Sequence, residues 1–313
     1  MKLNKILSSK YERPQAIPTG IASLDRMIGG LQVGHVVTVG ARPAMGKTAF
    51  VMSLVRNIGI INKVPTALLS LEHDEHNVAG RLWAAEFGWN RTRRPSEQIV
   101  MESNMCKEQE NAVRMLQNIG FDNPIQKKED YARMMNEAPV WVEHAFVMTM
   151  DEVISRMERL KKENNVSVVV IDSLDLIISG AKNAEQEQAM MNLVQAAWRL
   201  KVAVLLTTNL NREVEYRVSH IPSLSNLRGG YSTDTLTSVV MFLYRPEYYG
   251  IEEDECGNTE GKVQIFIAKN DFGETGLVRL NFVGRSRIED IECCIPEMPL
   301  RMNDDNDDNL FPI

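Results

Sequence analysis

The stretch Ala41-Arg42-Pro43-Ala44-Met45-Gly46-Lys47-Thr48 sets small residues, one lysine and one hydroxyl in an order that suits phosphate chemistry. Small residues let successive backbone N–H groups turn inward around phosphate oxygens, and a following helix adds the positive end of its dipole. Ala44, Met45, Gly46, Lys47, Thr48 and Ala49 form the expected cradle, with Lys47 neutralising the outer phosphates and Thr48 holding Mg²⁺. The expected ligand is ATP with its magnesium. One departure is that Ala41 stands where the first glycine is usual, with Gly40 just before it. The plain alternative is an ordinary tight turn. The apolar run Val36 to Val39 before the loop and the helical pattern after it argue against that reading.

Three further residues close other apolar runs. Val168-Val169-Val170-Ile171-Asp172 delivers a carboxylate at the end of a strand, where it would join the magnesium shell. Ser70-Leu71-Glu72 places a glutamate that can polarise a water for attack on a γ-phosphate. Taken alone, Glu72 reads equally as a charge at a helix start, with Glu75 close behind. Thr207-Thr208-Asn209 is placed to sense the γ-phosphate, although by itself Asn209 is no better than a strand-end cap.

These residues need a scaffold that brings several strand ends together. Apolar runs at Val36–Val39, Thr66–Leu71, Val140–Val142, Val166–Ile171, Val202–Leu206 and Val239–Leu243 alternate with helix-length segments such as Thr149–Asn164 and Glu185–Arg199. Continuous apolar strands separated by helices imply a mostly parallel sheet with helices on both faces, an α/β fold. Val263–Ala268 and Leu277–Phe282, joined by the tight Gly273–Gly276 turn, read as an antiparallel C-terminal hairpin at the sheet edge. Residues 1–16 read as a polar arm, 17–290 as the ordered unit and 291–313 as an extension. Within the unit, about 89–137 breaks the alternation, with Arg91, Arg93 and Arg94 beside Pro95. A structureless loop of that length would be unusual, so a small helical insertion is expected, more plausibly a solvated excursion than a DNA-contacting element.

The chain has 313 residues, 44% hydrophobic and 25% charged, ordinary for a soluble globular protein. A net charge of -7 argues against a surface that coats nucleic acid indiscriminately, but leaves room for a locally basic channel. Cys106, Cys256, Cys293 and Cys294 form no C-x-x-C pair and read as reduced thiols. The start is too short and polar for a signal segment, and no apolar run approaches the ~18 residues that span a bilayer. A soluble, cytoplasmic protein is expected. The end carries Asp304, Asp305, Asp307 and Asp308 beside Leu310, Phe311 and Ile313. This resembles the acidic, hydrophobic-ended tails of single-stranded-DNA-binding proteins, and either a replication-protein partner or a solubilising tail would account for it.

In their order along the chain, these motifs resemble the RecA-like motor domain of DnaB-type replicative DNA helicases. The resemblance runs from Pro18-Thr19-Gly20, Leu24-Asp25 and Gly29-Gly30-Leu31 through the phosphate loop and Ser70-Leu71-Glu72. It continues through Asn209-Leu210-Asn211-Arg212, Leu227-Arg228-Gly229-Gly230, Phe242-Leu243-Tyr244-Arg245 with Glu247-Tyr248-Tyr249, and Ile267-Ala268-Lys269 to Gly276. It implies an ATP-driven hexameric ring that translocates on single-stranded DNA and unwinds duplex. It further implies a water-activating role for Glu72, a sensor role for Asn209, and a DNA-contacting loop opened by Arg228, Gly229 and Gly230.

The departures are specific. The motor pattern begins almost at once, so the family's N-terminal collar and primase-binding domain are not expected here. Asn209 replaces the usual glutamine, and Thr233-Asp234-Thr235 replaces later polar positions of the DNA loop. The usual Lys-x-Arg of the hairpin reads Lys269-Asn270-Asp271. In the family that arginine reaches the neighbouring subunit's nucleotide as a finger, a group worth roughly 10³–10⁵ in phosphoryl-transfer rate. Lys269 is a partial substitute as a point charge, and Arg245 and Arg279 are other candidates. The leading expectation is a helicase motor. The alternatives are a motor-impaired regulatory, loading or scaffolding subunit, and a different RecA-type recombination or signalling ATPase.

Overall fold

The computed structural model describes residues 15–87, 124–177, 183–217, 219–228, 230–254 and 257–291. Nine strands form one sheet: β1 (Val36–Ala41), β2 (Thr66–Ser70), β3 (Val140–His144), β4 (Val168–Asp172), β5 (Ala203–Asn209), β6 (Val239–Tyr244), β7 (Lys262–Asn270), β8 (Gly276–Val283) and β9 (Arg287–Asp290). Their order across the sheet is β9-β8-β7-β6-β1-β5-β4-β2-β3. From β6 to β3 every pairing is parallel, whereas β7, β8 and β9 are antiparallel additions at one edge. All eight apolar runs are strands. The short β9 was not anticipated, because Arg287-Ile288-Glu289-Asp290 carries a single apolar residue.

The helices are α1 (Ala22–Ile28), α2 (Lys47–Val55), α3 (Glu75–Phe87), α4 (Pro124–Asn136), α5 (Met150–Asn164), α6 (Leu174–Ile177), α7 (Asn183–Leu200) and α8 (Gly230–Leu236). Local chemistry sets the ends of α5. The Thr149 hydroxyl accepts from the Glu152 amide while the Glu152 carboxylate accepts from the Thr149 amide, a reciprocal N-terminal cap. Asn165 ends the helix in the left-handed conformation at φ 48°.

Alternation along the strands divides the interior in two. Val168 and Val170 join the core beneath α1, α2 and α3 with Phe50, Leu54, Leu205 and Met241. Val169 and Ile171 join the opposite core, beneath α5 and α7, with Met157, Leu160, Leu193 and Leu206. Helices thus cover both faces, as parallel strands require. Of the segment expected to be a helical insertion, 124–136 is the helix α4, and residues 88–123, including Arg91, Arg93 and Arg94, lie outside the described residues. So do the four cysteines, Gly229 and the acidic tail.

Candidate active site

The phosphate loop leaves the carboxyl end of β1, which lies between β5 and β6. Parallel pairing sets Ala41 beside Asn209 and, farther along the sheet, Ser70 beside Asp172. Four strand ends therefore open on one edge. Gly40 explains the shifted glycine of the motif: a Cβ there would come within 2.8 Å of Leu210 Cδ2 and 3.0 Å of the Phe242 ring. Ala41, fully buried as the last residue of β1, needs no such concession.

Within the loop, Gly46 takes φ 94° and Ala44 takes φ 68°. A left-handed alanine costs roughly 1–2 kcal/mol. Arg245 supports that turn by donating from Nη1 to the Ala44 carbonyl at 2.9 Å, while its guanidinium lies 4.7 Å from the Phe282 ring centroid. Arg42 reaches the other way, donating to the Glu215 carboxylate at 2.7 Å and to the Leu210 carbonyl at 2.9 Å. Met45 is buried, whereas Thr48 and Ala49 are half-buried on the first turn of α2.

The structure brings together Lys47, Glu72, Asn209 and Asp172. Lys47, only 9% exposed, donates from Nζ to Asn209 Oδ1 at 2.9 Å and lies 3.8 Å from Glu72 Oε1. Glu72 stands just past the end of β2. Asp172 is 1% exposed at the end of β4; its Oδ1 accepts from the Thr207 hydroxyl, and its Oδ2 has no partner among the described residues. Burial pushes the Asp172 carboxyl above the ordinary carboxylate range, against the pull of Lys47 and the Thr207 hydroxyl. A buried carboxylate oxygen without a donor is costly by itself and suits a divalent cation. It and the Thr48 hydroxyl are oxygen donors of the kind Mg²⁺ takes, and the ion would supply charge neutralisation for a phosphate chain.

Other expected site residues lie apart from this group. The register sets Lys269 against Val240 and Asn270 against Val239, at the amino end of β6, whereas the phosphate loop leaves the carboxyl end of β1. Lys269 Nζ donates to the carbonyls of Asp234, Thr235 and Thr237 at 3.0, 3.1 and 2.7 Å, and it lies 3.7 Å from Asp271. It closes the C-terminal end of α8, so any contact with a nucleotide would be with another subunit's. Arg279 is nearly buried and pairs with Asp254 at 3.1 Å, and Arg245 is committed to its own phosphate loop. Neither stands free as a finger. Arg228 is exposed and Gly230 begins α8.

Sequence reasoning missed Ser173, Asp175 and Arg81. The Ser173 hydroxyl lies 3.2 Å from Glu72 Oε1 and 3.4 Å from Asp175 Oδ2. Asp175 accepts from the Asn209 amide at 2.7 Å and the Thr208 hydroxyl at 3.3 Å, and its Oδ1 is 3.9 Å from Arg228 Nη1. A second carboxylate three residues after Asp172 was a readable signal. Arg81, on α3, is pulled below the ordinary arginine range by burial and back up by Asp172 and Glu72. Its place on the helix following Glu72 was the only clue.

The DnaB-like helicase C-terminal domain model matches residues 16–289. The chain belongs to this family. The replicative DNA helicase DnaB of Buchnera aphidicola is 29% identical over 294 residues, covering 90% of this chain and 57% of the relative. The replicative DNA helicase DnaC of Bacillus subtilis is 28% identical over 274 residues, covering 85% and 54%. The chain thus spans a little over half the length of these relatives. Among solved structures, the ATPase domain of G40P superposes with a TM-score of 0.70 at 24% identity, covering 93% of this chain and 96% of that one. A DnaB-like replicative helicase studied with its primase gives 0.70 at 25% identity, covering 93% and 65%. The fold is the RecA-like ATPase fold of these helicases.

Proposed function

We propose that this chain is the motor of an ATP-dependent DNA helicase of the DnaB type. It would hydrolyse ATP at the contacts between subunits of a homo-oligomeric ring, translocate on single-stranded DNA and unwind duplex during replication. The observation that carries the reading is the meeting of Lys47, Asn209, Glu72 and the half-unpaired carboxylate of Asp172 at one sheet edge, in a member of this family. In this reading Ala44 to Ala49 wrap the phosphates, Thr48 and Asp172 hold Mg²⁺, Glu72 orients the attacking water and Asn209 senses the γ-phosphate. Arg228 with the backbone at Gly229 and Gly230 meets DNA phosphates, which gives sequence-tolerant, salt-dependent binding.

Two variants test the chemistry. Glu72→Gln is expected to keep Mg-ATP binding and lose about 10²–10⁴-fold in turnover. Lys47→Ala is expected to lose nucleotide binding itself. Normal hydrolysis by both variants in a steady-state ATPase assay would return the loop to an ordinary turn and Glu72 to a helix-start charge.

One observation favours a second reading, a motor-impaired regulatory, loading or scaffolding subunit. Asp271 occupies the finger position and Lys269 is bonded within its own subunit. Turnover with and without single-stranded DNA separates the two readings. A cytoplasmic site of action accompanies both, and among the described residues no helix is long and apolar enough to cross a membrane. The proposed replication-protein partner of the acidic tail rests on sequence alone.

A further inference from the structure

We propose that Asp175 is a positioning residue that makes ATP hydrolysis answer to DNA, acting through the hydroxyl of Ser173. The inference rests on the proposed DNA contact of Arg228 and the water-activating role of Glu72. Asp175 lies on α6, directly after the strand that delivers Asp172, and its side chain is 7% exposed. It faces two ways. Towards solvent, its Oδ1 is 3.9 Å from the guanidinium of Arg228, whose side chain is 52% exposed. Towards the nucleotide site, it takes the Asn209 amide at 2.7 Å and lies 3.4 Å from the Ser173 hydroxyl.

Ser173 is the shared element. Its hydroxyl carries one proton and has two carboxylates in reach, Glu72 at 3.2 Å and Asp175 at 3.4 Å. It can donate to only one of them at a time. While Arg228 neutralises Asp175, Glu72 is the stronger acceptor, and a Glu72 oxygen engaged by Ser173 is a poorer acceptor for a proton from water. When Arg228 turns to a DNA phosphate, Asp175 loses its countercharge and draws the Ser173 hydroxyl away from Glu72. The hydroxyl only rotates, and no proton changes owner. Freed of that hydrogen bond, Glu72 orients water. The Asn209 amide, held by the same carboxylate, ties the sensor strand to the change.

The test uses the full chain, a poly-dT oligonucleotide and steady-state ATP turnover. Arg228→Gln mimics the DNA-bound state, so its DNA-free turnover should rise about two- to five-fold, the size expected of a half-exposed ion pair, and DNA should stimulate it less. Ser173→Ala frees Glu72 permanently and should raise DNA-free turnover while flattening the response to DNA. In Asp175→Asn the response to DNA should fall at least by half, and adding Arg228→Gln should change its DNA-free turnover no further. A structural role alone would lower turnover in every variant. Should Asp175→Asn not fold, Arg228→Gln and Ser173→Ala decide the matter, the first altering a surface residue and the second only a hydroxyl. Unchanged or lowered DNA-free turnover in Arg228→Gln overturns the relay, even where its DNA affinity drops as the DNA reading requires. Raised turnover with unchanged DNA affinity also overturns it, because Arg228 would then restrain Asp175 without DNA being what draws it away.

Discussion

The two edges of the sheet present different balances of charge. At the carboxyl edge, Lys47, Glu72, Asn209 and Asp172 lie in one cluster, and one carboxylate oxygen has no donor among the described residues. At the opposite edge Lys269-Asn270-Asp271 is held by bonds within its own chain. Lys269 closes α8, Asn270 donates to the carbonyls of Met27 and Glu274 at 3.0 and 2.9 Å, and the Asp271 amide donates to Ser238 at 2.9 Å. The first arrangement is costly unless a ligand completes it. The second is complete within one chain. On the proposed reading, the part of the site that one subunit would supply is intact, whereas the part that would serve a neighbour is engaged in internal bracing.

Restoring the arginine tests that contrast most strongly. Asp271 is half exposed, so Asp271→Arg has room for the longer side chain. Turnover of the assembled protein is expected to rise at least tenfold, up to the ~10³–10⁵ that a finger can supply. No gain, measured with DNA and magnesium present, would mean that another group already fills the role. Lys269→Ala is expected to cost ~1–2 kcal/mol through three lost carbonyl contacts, a fall of a few degrees in Tm. If turnover drops and Tm stays put, Lys269 works in the neighbouring site and not as a brace.

The smallest effect is expected from Asp172→Asn. The Asp172 carboxyl is raised by burial, so protonation favours the fold and ionisation opposes it. At neutral pH, without nucleotide or magnesium, the amide should stabilise the chain by ~0.5–2 kcal/mol. That advantage should shrink as pH falls towards the carboxylate range and Asp172 gains its proton. Differential scanning calorimetry across pH reads both trends, and lower stability at neutral pH would contradict them.

The parallel core was legible because the buried strands are nearly continuous apolar runs, and β2, β4 and β5 end on a polar residue. The same rule exposed Asp172 and Asn209, each the last residue of such a run, and Glu72 just beyond another. It failed for neighbours that share no strand. Ser173 links β4 to α6 and Asp175 lies on α6, and neither the approach of Ser173 to Glu72 nor that of Asp175 to Arg228, 53 positions away, has a periodic signature. The internal bonds of Lys269 were illegible for a related reason. Its resemblance to a family position was visible, but the three carbonyls it reaches lie in and just after a helix more than 30 residues earlier.

Asp290, in the last strand, accepts from the Ala22 amide at 2.6 Å and the Ser23 amide at 3.0 Å, at the start of α1. That helix has no cap from its own neighbours, so the end of the described chain supplies one to its beginning. Residues 22 and 290 are therefore adjacent in space, the geometry that favours circular permutation. A permutant with a short Gly/Ser joint near this contact and new ends in a surface loop should keep the sheet order. Cutting the chain before Asp290 would instead remove the partner of two helix-start amides and loosen α1 from a distance.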